Sequence, residues 1–191
     1  MKKYYIWMVG LACMLFFDAN QAFAGGAIKV GLDFLGSHNA SGSMSSASTD
    51  VDTGISTAGE LFVELDDQFE LGGGLGFQVP RALKDHSSDD FYFIPFYAAV
   101  RVKAPSSKFT PYGIGQLGYN LFYANASYKA RAGDDTDLKG GIYFGIGGGL
   151  ILTKHFLVEL LYSKNFGKGT VSGNSLDVEY SKVTLSLGYS F

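Results

Sequence analysis

Val183-Thr184-Leu185-Ser186-Leu187-Gly188-Tyr189-Ser190-Phe191 ends the chain. Val183, Leu185, Leu187, Tyr189 and Phe191 share one face of an extended backbone, while Lys182, Thr184, Ser186, Gly188 and Ser190 share the other. Strict period-two alternation marks a strand with one apolar and one polar face. A soluble sheet rarely ends on such a strand, because a bare apolar edge recruits other chains. A closed barrel in a bilayer has a use for it: lipid covers the apolar face and closure removes the edge.

The other end of the chain fits export. Lys2 and Lys3 precede an apolar run from Ile6 to Phe17, and Ala22-Phe23-Ala24 supplies a small-x-small cleavage pattern. Residues 1–24 are therefore expected to be a cleaved secretory signal, with Ala22 and Ala24 flanking the cut, and residues 25–191 the mature domain. The apolar run is too short for a comfortable helical span, which takes about 20 residues. Cys13 lies inside this segment and is the only cysteine, so disulfides and thiol chemistry are excluded from residues 25–191.

Removing Lys2, Lys3 and Asp18 leaves 15 − 2 = 13 basic and 18 − 1 = 17 acidic residues, a net of −4. A mildly acidic chain lacks the basic face that a nucleic-acid partner requires. The 191 − 24 = 167 residues suffice for one domain. Glycine (26 in all), Phe (16) and Tyr (12) dominate, which is a β-barrel composition. No continuous apolar run reaches the length of a spanning helix.

Eight alternating segments can be read in order, at about 27–35, 54–65, 69–79, 92–103, 109–123, 142–152, 156–163 and the C-terminal stretch. Pro95 falls within the fourth and predicts a local bulge, since proline cannot donate to a ladder. The fifth is the least regular, because Tyr112 and Ile114 oppose the outward set Leu117, Tyr119, Leu121 and Tyr123. In the eighth, the apolar face slips between Tyr180 and Val183, predicting a bulge or the edge of the membrane there. Polar stretches at 38–52, 80–90, 124–139 and 164–176 read as four long mobile loops, alternating with three tight turns. The expected fold class is all-β: an eight-stranded antiparallel up-and-down transmembrane β-barrel, with both termini on the short-turn side.

The chain resembles the small eight-stranded outer-membrane barrels of the OmpA and opacity type, over essentially all of residues 25–191. The resemblance rests on the signal sequence, on Thr110-Pro111-Tyr112-Gly113-Ile114-Gly115 opening a strand, and on Leu187-Gly188-Tyr189-Ser190-Phe191 closing the last one. The terminal Phe with Tyr two places earlier and apolar residues at each second position is similar to the C-terminal assembly signal of such barrels. By resemblance, Val183, Leu185, Leu187, Tyr189 and Phe191 are what a barrel-assembly machinery would recognise. The resemblance also implies a bacterial outer-membrane location, with lipid and lipopolysaccharide around the barrel and a possible host or cell-surface ligand at the outer loops. It fixes architecture better than function.

The inward face carries Asp33, Glu60, Glu64, Glu70 and Glu159, with Lys29, Arg101, Lys103 and Lys182 as counter-charges. An eight-stranded interior is just wide enough for side chains to fill, and buried charges there must be paired. Arg101 is expected to bridge glutamates of the preceding strands in a lumen charge network. Gly72, Gly74, Gly76, Gly145, Gly147 and Gly149 leave room for Phe62, Phe93, Tyr97 and Tyr143. A plugged lumen implies a structural or surface-interaction protein; an ion path opening when pairs rearrange implies a narrow channel.

An enzyme is not expected, since a nucleophile needs a base beside it and neighbours in sequence make no triad. Asp85-His86-Ser87-Ser88 fits only loosely the His-x-Ser pair of outer-membrane lipid A deacylases, a third reading. Gly133-Asp134-Asp135-Thr136-Asp137 lacks the spacing of a calcium hand, so neither metal nor cofactor is expected. Tyr92, Tyr123, Phe156, Tyr162 and Tyr189 fit an interfacial aromatic girdle.

Overall fold

The structure, a computed structural model, describes residues 25–42, 46–84, 86–105, 109–132, 137–171 and 174–191. Residues 1–24, with the expected cleavage site at Ala22 and Ala24, lie outside these. Alternation along the sequence becomes ten strands: β1 (Gly25–Gly42), β2 (Ser46–Val51), β3 (Gly54–Glu64), β4 (Phe69–Gln78), β5 (Arg81–Leu83), β6 (His86–Lys103), β7 (Thr110–Ala124), β8 (Asp137–Ile151), β9 (Phe156–Val171) and β10 (Asn174–Ser190). Neighbours pair antiparallel, and β10 returns to β1 from Ala27↔Ser190 to Gly42↔Leu176, which closes the barrel. The ring consists of β1, β3, β4, β6, β7, β8, β9 and β10, eight strands meandering up and down.

The two extra strands build a second storey. Beyond Asp33 the outer half of β1 pairs β2, from Gly36↔Val51 to Ser41↔Ser46, in place of β3. The outer part of β6 likewise pairs β5 at Arg81↔Phe91, and β2 meets β5 at Val51↔Leu83. The wall therefore continues past the apolar band. This corrects three of the four expected loops: 38–52, 80–90 and 164–176 are largely hairpin, because backbone pairing propagates along a neighbour whatever the polarity of small Ser, Thr and Gly side chains. The fourth, 124–139, contains helix α1 (Ala126–Ala132). Asn125 caps α1: its Oδ1 accepts the Tyr128 N–H at 2.9 Å and its Nδ2 donates to the Ser88 carbonyl at 2.7 Å.

Two expected bulges move or vanish. Every described even-numbered position of β10 from Val178 to Gly188 is buried, so the inward face never slips. Instead Val178 and Tyr180 carry apolar groups inward. The register shift lies across the pair in β1, between Phe34 and Ser37, where Leu35 adopts φ 52°. At Pro95 the β6–β7 register is unbroken; the β4–β6 ladder simply stops one residue away, at Leu75↔Phe96. The fifth segment is also regular. Tyr112, Ile114, Gln116, Asn120 and Phe122 all point inward from β7, and its apparent disorder was an apolar lumen contribution.

Large apolar residues cover the outside, including Ile28, Leu32, Leu117, Ile146 and Leu187, the last 68 % exposed. Tyr92 stacks on Tyr123 at 5.1 Å, and Phe156 packs edge-on to Tyr189 at 5.7 Å, at opposite ends of this band. Among the described residues no helix is long and apolar enough to cross a membrane.

Candidate functional site

The interior is filled in two layers. The inner one is polar. Lys29 of β1 donates to Glu60 of β3 at 2.7 Å and to Glu159 of β9 at 2.6 Å. Glu60 Oε1 also accepts from Tyr97 and Gln116, each at 2.9 Å, and Tyr112 donates to Glu159 Oε2 at 2.9 Å. Arg101 of β6 lies between Glu70 at 2.9 Å and Glu60 at 3.5 Å, its guanidinium 3.9 Å over the Phe62 ring. Glu64 sits apart at the rim nearer the C-terminus, half in solvent, paired with Lys103 at 2.6 Å. These buried carboxylates take their hydrogen bonds from lysine, arginine, tyrosine and glutamine side chains.

Closer to the outer face, Asp33 gathers a second cluster. Lys182 donates to it at 2.8 Å and Thr184 at 2.6 Å, and Arg81 and Ser56 reach it as well. Arg81 is the principal residue missed from sequence, because 80–90 read as loop. The residue that admits it is Gly54: a Cβ there would fall on the guanidinium. Gly74 plays a comparable part below, where a Cβ would come within 2.8 Å of the Tyr97 ring.

The outer layer is aromatic. Phe91, Phe93, Phe122, Tyr128 and Tyr180, with Val51, Leu83 and Val178, form one buried cluster. Phe93 stacks on Phe122 at 4.5 Å and lies parallel to Tyr180 at 6.1 Å. Tyr128 comes down from α1, and its phenol oxygen lies 3.0 Å from His38 Nε2. His38 stands above the apolar band, which ends in β1 at Leu35; burial pushes its pKa down to about 4, so the ring is neutral near neutrality. The sequence signal for this layer was the change of inward content from polar to aromatic along β6, β7 and β10.

His155 lies at the opposite rim, stacked on Tyr189 at 5.4 Å. The side chains of His86 and Ser87, and residues 133–136 of the acidic stretch, lie outside the described residues. Among the described residues no group of three or more His, Cys, Asp or Glu side chains is placed to hold a metal ion. At the seam of the barrel, Gly26 N–H donates to the Phe191 carbonyl at 2.8 Å, and Phe191 N–H donates back to Gly26 at 2.9 Å.

A closed eight-strand ring with a lipid-type exterior and a filled interior is the geometry of an outer-membrane barrel. A family model described as "Outer membrane protein beta-barrel domain" matches residues 9–191. The chain belongs to that family. It is a protein of the bacterial outer membrane. The fold of this outer-membrane barrel is shared with OprG from Pseudomonas aeruginosa, at TM-score 0.51 and 16 % identity, covering 89 % of this chain and 96 % of that one. Neisserial surface protein A matches with TM-score 0.52 and 16 % identity, covering 87 % and 97 %. Ail of Yersinia pestis matches with TM-score 0.49 and 12 % identity, over 87 % and 98 %. No curated protein sequence matches it.

Proposed function

We propose that this outer-membrane barrel is a non-enzymatic structural and surface-interaction protein whose lumen is plugged. The observation that carries the reading is the stacking of two different closures in one narrow barrel. Opening a water path would require the Lys29, Arg101 and Lys182 ion pairs to rearrange, and it would also require a buried aromatic cluster to come apart. The second cost is independent of the first. The surroundings implied are outer-membrane lipid and lipopolysaccharide along the wall, the barrel-assembly machinery at the terminal strand, and a host or cell-surface ligand at the outer hairpins and α1. Neither described histidine ring is offered as a general base: His38 is shut behind aromatic rings, and the His155 ring stacks on Tyr189 with its Nδ1 on the Ser190 carbonyl oxygen at 3.0 Å.

Planar-bilayer recording of refolded protein tests the reading. The expected result is no stable conductance from the wild type or from Arg101→Ala, because the aromatic layer still closes the outer half. Stable channels in the wild type, with selectivity altered by Arg101→Ala, would replace the plugged barrel with a narrow channel.

A further inference from the structure

Among the described rings of the outer aromatic layer, those of His38, Phe91, Phe93, Phe122 and Tyr180 stand on barrel strands, whereas Tyr128 is delivered by α1. The wall rings hold one another without it. Phe91 packs against His38 at 5.0 Å and against Tyr180 at 5.2 Å, and Phe93 stacks on Phe122 at 4.5 Å. Tyr128 drops between them, edge-on to His38 at 5.8 Å and to Phe122 at 6.0 Å, and tilted against Phe91 at 6.2 Å. Its hydroxyl meets His38 Nε2 at 3.0 Å. Burial, with the Asp89 carboxylate, pushes the phenol above its ordinary range, and burial keeps the imidazole neutral, so two uncharged groups share one hydrogen. The wall thus makes a cup fitted to a phenol, aromatic on three sides with one hydrogen-bonding nitrogen.

The helix that fills the cup is lightly anchored. Among the described side chains of α1, Tyr128 alone is buried; Ala126, Ser127 and Ala130 are exposed, and Lys129 is half-buried. The helix has 7 residues, and isolated helices below about 12–15 residues are marginal in water. Its leading end is tied to β6 through the backbone, where the Asn125 N–H donates to the Asp90 carbonyl at 2.9 Å. α1 is hinged there, and its one buried described side chain is the latch.

We propose that the wall rings and His38 form a receptor cup for a tyrosyl side chain exposed on a protein partner, and that Tyr128 is its resident occupant. When α1 lifts, the partner's tyrosine takes the same place. The resident shows what the cup admits: a phenol joined to a main chain lying across the outer mouth. The hydroxyl selects tyrosine over phenylalanine, because the His38 nitrogen would face a ring edge with nothing to share. This deepens the surface-interaction reading and rests on it, naming the group that the outer mouth recognises. The two fail separately: conductance by the barrel leaves cup binding measurable, and loss of cup binding leaves the lumen closed by its ion pairs.

The full chain, refolded into phosphatidylcholine nanodiscs in a Cys13→Ser background, carries a spin label at Ala130→Cys; Cys13 is the only natural cysteine. N-acetyltyrosinamide is the probe. Binding is read from the His38 imidazole resonance and helix lifting from the mobility of the label. The wild type is expected to respond to the probe saturably in both. N-acetylphenylalaninamide is expected to bind about three- to tenfold more weakly, the loss of one hydrogen bond. Tyr128→Ala is expected to bind the probe about ten- to a hundredfold more tightly, because the built-in competitor is gone. Tyr128→Phe, a weaker competitor that keeps the ring, is expected to tighten binding about threefold, and it decides the matter if Tyr128→Ala does not fold. A wild type that stays silent at about a hundred times the concentration half-saturating Tyr128→Ala overturns the receptor cup, since Tyr128 is then a permanent part of the core. Unchanged affinity in both variants, or equal binding of the tyrosyl and phenylalanyl amides, overturns it as well. Lifting of α1 by 4-methylphenol and not by the tyrosyl amide overturns the protein partner in favour of a free phenol.

Discussion

Lys29 Nζ donates to Glu159 Oε1 at 2.6 Å, tying β1 to β9 across the intervening β10. The same nitrogen holds Glu60 on the other side at 2.7 Å, so one ammonium neutralises two buried carboxylates on three-strand spacing. These contacts join residues 31 and 130 positions apart; the first bridges paired neighbours β1 and β3, and the second forms only when the ring has closed. The charge layer is thus a consequence of closure and a lock upon it.

Lys29→Met leaves Glu60 and Glu159 buried without their shared cation, which is expected to cost about 3–5 kcal/mol. Lys84→Met removes an exposed pair with Asp50 at 3.4 Å, where the side chains are 53 % and 73 % exposed, and is expected to change nothing measurable. Urea unfolding in vesicles, followed by the gel shift between folded and boiled barrel, compares the two. Equal midpoints for both variants would count against a stabilising charge layer.

Gly54→Ala is expected to act through Arg81. A methyl group at position 54 occupies the space of the guanidinium, so Arg81 must leave Asp33. The expected loss is about 2 kcal/mol or more. Arg81→Met should cost a similar amount, and the double variant should cost little more than either alone, because both remove one interaction. Additive losses in the same unfolding assay would separate the two residues.

The outer layer predicts a pH dependence centred on His38. Its folded pKa, about 4, lies below the ordinary 6.5, so the unfolded chain binds the proton first. The stabilisation is complete above pH 6.5, is lost as pH falls through the window from 6.5 to 4, and is flat below. The gap is worth about 3 kcal/mol at most. The Tyr128 phenol and the Phe91 ring pack against the imidazole, and neither is charged. An NMR titration of the imidazole should give a midpoint near 4, and His38→Gln should remove this part of the acid sensitivity. A midpoint near 6.5 would mean that water reaches the ring.

The terminal residue closes the barrel through Gly26. A side chain at position 26 would strike the Phe191 ring, its Cβ lying 2.7 Å from the ring carbons. Gly26→Val and deletion of Phe191 are both expected to cut the yield of folded barrel in outer-membrane fractions. Ile114→Val, inward on β7 and away from the β1–β10 closure, should fold normally. Wild-type yield from the Phe191 deletion would remove the terminal aromatic from assembly.

The ring was legible because lipid-facing positions obey one rule, and Leu185, Leu187 and Tyr189 obey it without exception. Side-chain period reports which face a residue occupies, so the inward positions of Glu60, Arg101 and Glu159 followed directly. Period does not report what fills a lumen. Tyr112, Ile114, Val178 and Tyr180 looked like errors of register because apolar residues also serve inside. Nor does composition reveal where pairing ends: Ser37 to Ser41 and Lys164 to Thr170 are polar, yet their backbones pair fully. Arg81 went unread because its role depends on the absence of a side chain at Gly54, a contact 27 residues away that no local pattern records.

The upper storey built by β2 and β5 sets how far this protein stands out. β1 has 18 residues. At about 3.3 Å per residue and a tilt of about 40°, it rises about 45 Å, against an apolar band about 25 Å tall. About 20 Å of hydrogen-bonded parapet therefore continues beyond the apolar band. A partner arriving at that end would meet stiff masonry instead of trailing thread.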